Sequence, residues 1–329
     1  MSLPPLLSDN LALPVIGAPM FIVSNPELVI EQCKAGVVGS FPALNARAEP
    51  ALEQWLQRIS AELEACKQAN PGRKVAPFAV NQIVHSSNSR LQRDVELCVK
   101  YKVPIMITSL RAPDQVVEAA HSYGGLVFHD VTTIAHAKRA LKAGVDGLIL
   151  VCSGAGGHAG RLSPFALVPE VRAFYDGTII LSGAIARGDS VLAAQAIGAD
   201  LAYIGTRFIA TREAGAPPEY KQMLVDSTAE DIVYSSLFSG VHGNYLRGSI
   251  VAAGFDPDKL PEGDKSAMNF ASGPEGAEGA KAWRDIWGAG QGTGQIHDVL
   301  PAAEVVARLG QEYRAARERL LGGALDKAA

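Results

Sequence analysis

The chain is predicted to be an α/β protein: a (β/α)8 barrel with an inserted, mostly helical segment after its eighth strand. Three observations predict this. Eight short apolar runs alternate with helical patterns between Leu11 and Ile204. Each run is almost continuously apolar, as expected for parallel strands covered on both faces. Their spacing fits the roughly 200 residues or more that eight βα units need. An open dinucleotide-binding sheet would need G-x-G-x-x-G after its first strand, where this chain has Ile16-Gly-Ala-Pro-Met20.

The first strand is Leu11–Ala18. A helix over Pro26–Lys34 follows, with proline at its first turn and Ser24 or Asn25 as cap. Ala35–Ser40 is the second strand. Glu49–Lys67 is a long helix, with Leu52, Leu56, Ile59 and Leu63 on one face. Strands then fall at Pro77–Asn81, Pro104–Thr108 and Gly125–His129, with helices at Ser89–Tyr101, Pro113–His121 and Thr132–Ala143. The last three strands are Asp146–Val151, Thr178–Ser182 and Asp200–Ile204. Residues 1–211 form the barrel in this reading, and 212–272 form a substrate or cap domain over its mouth. Residues 273–329 return to the barrel through a glycine-rich stretch and a closing helix over Pro301–Leu321.

Barrel chemistry sits just past the C-terminal ends of the strands. Ala18-Pro19-Met20, Asn81, Ser109 and His129 fall there, His129 being expected to point into the mouth. The sixth strand runs into Val151-Cys-Ser-Gly-Ala-Gly-Gly-His158-Ala-Gly-Arg161. Glycines let backbone approach a ligand closely, and histidine is the side chain that titrates near neutrality, so this loop reads as a cofactor cradle with a proton-handling group. Ser182-Gly183-Ala184 and Gly205-Thr206 follow strands seven and eight, where barrels commonly bind phosphate.

Bulk properties narrow the partners. The chain has 329 residues, is 48% hydrophobic and carries a net charge of −4, with a pI near 6.0. Nothing there favours nucleic acid or an anionic membrane. The apolar runs are far too short to span a bilayer, and the N-terminus lacks signal-peptide character, so a cytoplasmic protein is expected. The four cysteines are scattered singly, without the spacing of a zinc site or a disulfide framework, and no metal is expected.

Taken together, Ala18-Pro-Met20, Asn81, Gly156-Gly-His158-Ala-Gly160, Ser182-Gly183, Tyr203-Ile-Gly-Thr-Arg-Phe208 and Trp287-Gly-Ala-Gly-Gln291 resemble the motifs of the nitronate monooxygenase family, formerly 2-nitropropane dioxygenases. They stand in the family's order and span most of the chain. The resemblance implies a TIM barrel that binds FMN non-covalently and oxidises alkyl nitronates, such as propionate 3-nitronate, with O2. It implies that Ala18, Pro19 and Met20 line the flavin ring, with Asn81, His129, Gly156, Gly157, Ser182, Gly183, Ala184 and Gln291 also at the cofactor. Tyr203, Ile204, Gly205 and Thr206 would hold its phosphate. His158 matches the catalytic histidine, here expected chiefly to orient the nitronate and stabilise its charge. His242 and Tyr245 are expected on the substrate side.

Two positions depart from the family's pattern. Val151 stands where many members carry glutamine, and Asp130 where NADH-oxidising members often carry lysine. The alternative is an NADH-dependent flavin oxidoreductase acting on quinones or enoyl thioesters on the same barrel; a flavin-binding protein acting through interaction is a third reading. The expected partners are a small nitronate and O2, in a monomer or homodimer.

Overall fold

A computed structural model describes residues 3–263 and 284–322. Part of the expected cap, 264–272, and the start of the glycine-rich stretch, 273–283, lie outside the described residues.

The chain opens with α1 (Pro5–Ser8), β1 (Val15–Gly17), α2 (Pro26–Lys34), β2 (Gly39–Pro42) and α3 (Ala51–Ala69). It continues through β3 (Phe78–Val84), α4 (Leu91–Lys100), β4 (Ile105–Leu110), α5 (Asp114–His121), β5 (Leu126–Val131) and α6 (Ile134–Lys142). Then come β6 (Gly147–Val151), β7 (Gly157–His158), α7 (Pro164–Arg172), β8 (Thr178–Ser182), α8 (Gly188–Ala196), β9 (Leu201–Ile204) and α9 (Thr206–Ile209). After these lie α10 (Pro218–Asp226), β10 (Ile232–Ser235), β11 (Gly243–Leu246), α11 (Arg247–Ala252) and α12 (Ala302–Leu321).

Eight parallel strands form one sheet in the order β1-β9-β8-β6-β5-β4-β3-β2. Its two ends meet through Val38: Gly17 N–H donates to the Val38 carbonyl at 2.7 Å, and Val38 N–H to that of Val15 at 3.1 Å. The barrel is thus nearly closed, and every expected strand is present. Because successive strand residues face opposite sides, two cores result. Ile16, Ala79, Ile107, Phe128, Ile149, Ile180 and Tyr203 pack inside the barrel, while Val15, Val80, Met106, Val127, Leu148 and Ile204 pack outward among the helices.

Local chemistry fixes the joints. Asn25 is the cap of α2, its side-chain oxygen accepting from Leu28 N–H at 2.8 Å, and Thr133 caps α6 in the same way. The closing helix α12 lies along α8, whose first residue, Gly188, is too close to the Leu309 carbonyl to admit a Cβ. Val305, Val306 and Leu309 of α12 are buried, while Leu320 near its end is exposed.

The segment after β9 differs from a mostly helical insertion. Between α10 and α11 it carries an antiparallel ribbon, β10–β11, and β11 pairs with β7 of the glycine loop. The segment therefore joins the barrel loop by backbone hydrogen bonds, and the glycine loop is partly strand.

Candidate active site

The C-terminal ends of the strands surround a cavity of about 1030 Å³, the upper end of the ~300–1,000 Å³ typical for ligand sites. Ala18, Pro19, Met20, Asn81, Gly156, Gly157, His158, Ser182, Gly183, Ala184, Tyr203, Gly205, Thr206 and His242 all line it. So do Ser109, Asp130 and an apolar set at the mouth, including Phe21, Leu44, Leu110 and Phe238.

The glycine loop is held from both sides. Gly160 N–H returns to the Val151 carbonyl at 3.1 Å, and Ala159 N–H donates to the His242 carbonyl at 3.2 Å. Asn244 on β11 donates its amide to the Ala155 carbonyl at 2.7 Å. A Cβ on Gly156 would lie 2.8 Å from Gly290 N and 3.0 Å from both Ala289 C and Thr206 Oγ1. That glycine therefore admits neighbouring protein as well as facing the cavity.

His158 sits in β7 with Nε2 2.8 Å from Ser239 Oγ. The Ser239 hydroxyl donates to the Val241 carbonyl at 3.0 Å, so its oxygen is placed to accept from an imidazole Nε2–H. Burial pushes the His158 pKa down to about 4, leaving a neutral ring at pH 7. Charge stabilisation by an imidazolium is therefore not what this environment favours. Ser239 had no signal in the sequence, since one serine in a Ser-Gly turn is indistinguishable from loop chemistry. Cys152, in the same loop, is fully buried and its thiol is pushed up to about 12, the opposite of an activated nucleophile.

Four expected site residues lie away from the cavity, each for a definite reason. His129 faces outward with Val127, because the pleat sends Phe128 and Asp130 inward. Its Nδ1 is 2.8 Å from Thr108 Oγ1 in the layer between barrel and helices, and burial holds its pKa down to about 4. Ile204 faces outward by the same alternation, leaving Tyr203 inside. Gln291 clamps the loop: its N–H donates to the Gly154 carbonyl at 2.9 Å and its side chain covers Gly154. Tyr245 is fully buried behind Ser239, their hydroxyls 3.3 Å apart. His242 does reach the cavity and stacks on Tyr234 with ring centroids 5.0 Å apart.

On the wall formed by β3, β4 and β5, Asn81 donates to Ser109 Oγ at 3.0 Å. Ser109 donates in turn to Asp130 Oδ2 at 2.6 Å. Among the described residues, Asp130 Oδ1 is buried with no hydrogen-bond partner.

The residues present fit a flavin. A Cβ on Gly205 would meet nothing nearer than Ala18 Cβ and Met20 Sδ at 3.6 Å, so these residues leave a smooth wall for a planar ring. Thr206 Oγ1 accepts from Gly290 N–H at 2.9 Å, keeping its own proton for an anionic oxygen. Ala184 is held at φ +54°, a conformation that costs a non-glycine residue about 1–3 kcal/mol and tends to occur at functional turns.

A profile of the nitronate monooxygenase family matches residues 5–312. A Mycobacterium tuberculosis protein described as a candidate monooxygenase is 31% identical over 70% of this chain and 64% of its own length, just under two thirds. The nitronate monooxygenase of Paraburkholderia phytofirmans is 27% identical over 93% of this chain and 94% of its own. The solved structure of FabK from Thermotoga maritima has the same fold, with a TM-score of 0.74 at 23% identity over 96% of this chain and 97% of that one. With the barrel and its histidine-bearing glycine loop in place, the chain belongs to the nitronate monooxygenase family of flavoenzymes and is an oxidoreductase.

Proposed function

We propose that this protein is an FMN-dependent nitronate monooxygenase that oxidises alkyl nitronates, such as propionate 3-nitronate, with O2. The observation that carries the reading is His158: a neutral imidazole on a cavity whose other walls are Ala18–Met20, Gly183–Ala184 and Gly205–Thr206. Bound FMN would supply the electron-accepting chemistry, the protein supplying binding, orientation and electrostatics.

In this reading Ala18, Pro19, Met20 and Gly205 pack on the ring, and Thr206, with the backbone of Gly183, binds the phosphate end. His158 flanks the nitronate and orients it by contact; where a nitroalkane enters instead, the neutral ring is the base for its α-proton. The segment after β9 covers the mouth and, through Ser239, fixes the imidazole.

The reading is tested with His158→Asn in flavin-loaded protein, following oxygen consumption with propionate 3-nitronate and with a neutral nitroalkane. Retained flavin with a 10²-fold or greater loss on the nitroalkane, and a smaller loss on the nitronate, is expected of a base that also orients. Wild-type rates on both substrates would overturn the assignment.

A further inference from the structure

Asp130 is a carboxyl group at the cavity that the proposed reaction does not use. It follows His129 in β5, and the pleat turns it inward beside Ser109. Among the described residues its side chain has one hydrogen bond, from Ser109, whose single proton is committed to Oδ2 while its oxygen is occupied by the Asn81 amide. Among the described residues Oδ1 is out of contact with solvent and has no donor.

A buried carboxylate needs several donors or a cation to stay ionised, and the groups around this one do not supply them. Its partner across the sheet on β6 is Ile149. Thr132, and His136 on α6, border the same part of the chain and line the cavity. Burial first, and the charge of Asp130 second, raise the Tyr203 phenol on β9 well above the ordinary range. Among the described residues, the other titratable groups on the cavity are His158, held neutral, together with Tyr220, His242 and the outlying Glu262.

We propose that Asp130 is a proton site linked to anion binding: the cavity takes up an anion together with one proton, which comes from solvent and resides on the Asp130 carboxyl. Ionised, the carboxylate repels an anion in the same cavity, whose protein walls make like charges interact more strongly than in bulk water. Protonated, it does not. Burial, opposed only by the Ser109 hydrogen bond, raises the carboxyl to about 6, so the linkage operates across neutral pH. The proposal rests on the reading of the cavity as a nitronate site, since a nitronate is an anion, and it adds a pH-dependent control of which charge the cavity accepts.

The test is calorimetric titration of the purified, flavin-bearing protein with nitrate, a redox-inert planar anion, from pH 5 to 8 in two buffers of different ionisation heat. Wild type is expected to take up about one proton per nitrate above the midpoint, with Kd rising about tenfold per pH unit. Asp130→Asn, which keeps the shape, is expected to bind nitrate with no proton uptake and a flat profile. Ser109→Ala keeps the carboxyl but removes its hydrogen bond, and is expected to move the midpoint upward. Wild type and Asp130→Asn with the same pH profile would overturn the proposal, as would the absence of nitrate heat in all three proteins. Oxygen consumption with propionate 3-nitronate in the same samples separates these results from failure of the nitronate reading.

Discussion

The substitution Gly156→Ala tests how the glycine loop is held. Among the described glycines, positive φ values occur at several positions of this region, including Gly154 and Gly157, but Gly156 is not one of them. Alanine there meets a steric obstacle rather than a conformational one. The added methyl would stand 2.8 Å from Gly290 N and 3.0 Å from Ala289 C and Thr206 Oγ1, and two of these atoms are backbone. Relief requires the Gly288–Gly290 strip to shift and breaks the 2.9 Å bond from Gly290 N–H to Thr206. Overpacking of this kind costs about 1–3 kcal/mol, and the lost hydrogen bond about 1 kcal/mol more. A total of roughly 2–4 kcal/mol would lower Tm by roughly 3–6 °C for a chain of this size. Thermal unfolding followed by circular dichroism, together with FMN titration, measures both the stability and the cofactor wall. Unchanged Tm and unchanged FMN affinity would refute the account of the loop as clamped between Thr206 and Gly290.

Other consequences are separable. Gly157→Ala places a side chain at φ +68° and is expected to cost about 1–2 kcal/mol, a smaller loss by the same melting assay. His129→Ala opens a void between barrel and helices, so Tm is expected to fall while FMN affinity stays at the wild-type value; a selective loss of FMN would instead put His129 at the cofactor. Asp130 is raised from 3.8 to about 6 in the folded protein, so the native state binds more protons than the unfolded chain between these values, and stability falls as pH rises through that window. Asp130→Asn should therefore gain up to about 3 kcal/mol at pH 7.5 and nothing at pH 3.5, read by denaturant unfolding. His129 and His158 work in the opposite sense: both are lowered from 6.5 to about 4, so their contribution is lost as pH falls from 6.5 to 4. In the Asp130→Asn background, acid destabilisation across that range should stand out more steeply than in wild type.

The barrel was legible because its signals are local and repeated. Apolar runs marked all eight strands, and Thr178–Ser182 and Pro26–Lys34 have the expected bounds. The strand ends were less legible. Polar residues such as Asn81 and Thr108 look like exits from a strand, yet β3 and β4 stay paired as far as Val84 and Leu110. Around the mouth, an inward polar side chain borders the cavity, so polarity does not end the pairing there. A one-residue ambiguity on such a strand reverses the side-chain direction, which is why His129 was expected in the mouth that Asp130 occupies. The second strand lies further along than expected, at Gly39–Pro42 rather than Ala35–Ser40, because the chain first turns through Gly36 at φ +89° after α2. The β7–β11 pairing joins Gly157 to Asn244 across the sequence. A two-residue strand of Gly-His carries no periodicity from which to foresee it, and the support of His158 by Ser239 depends on it.

The central claim, that the cavity brings a nitronate to bound FMN beside His158, is tested most directly by anaerobic mixing of the flavin-bearing protein with propionate 3-nitronate or with NADH. The account predicts rapid loss of the oxidised flavin's visible absorbance with the nitronate alone, at a rate that falls when His158 is replaced. Loss of absorbance with NADH and none with the nitronate would contradict it.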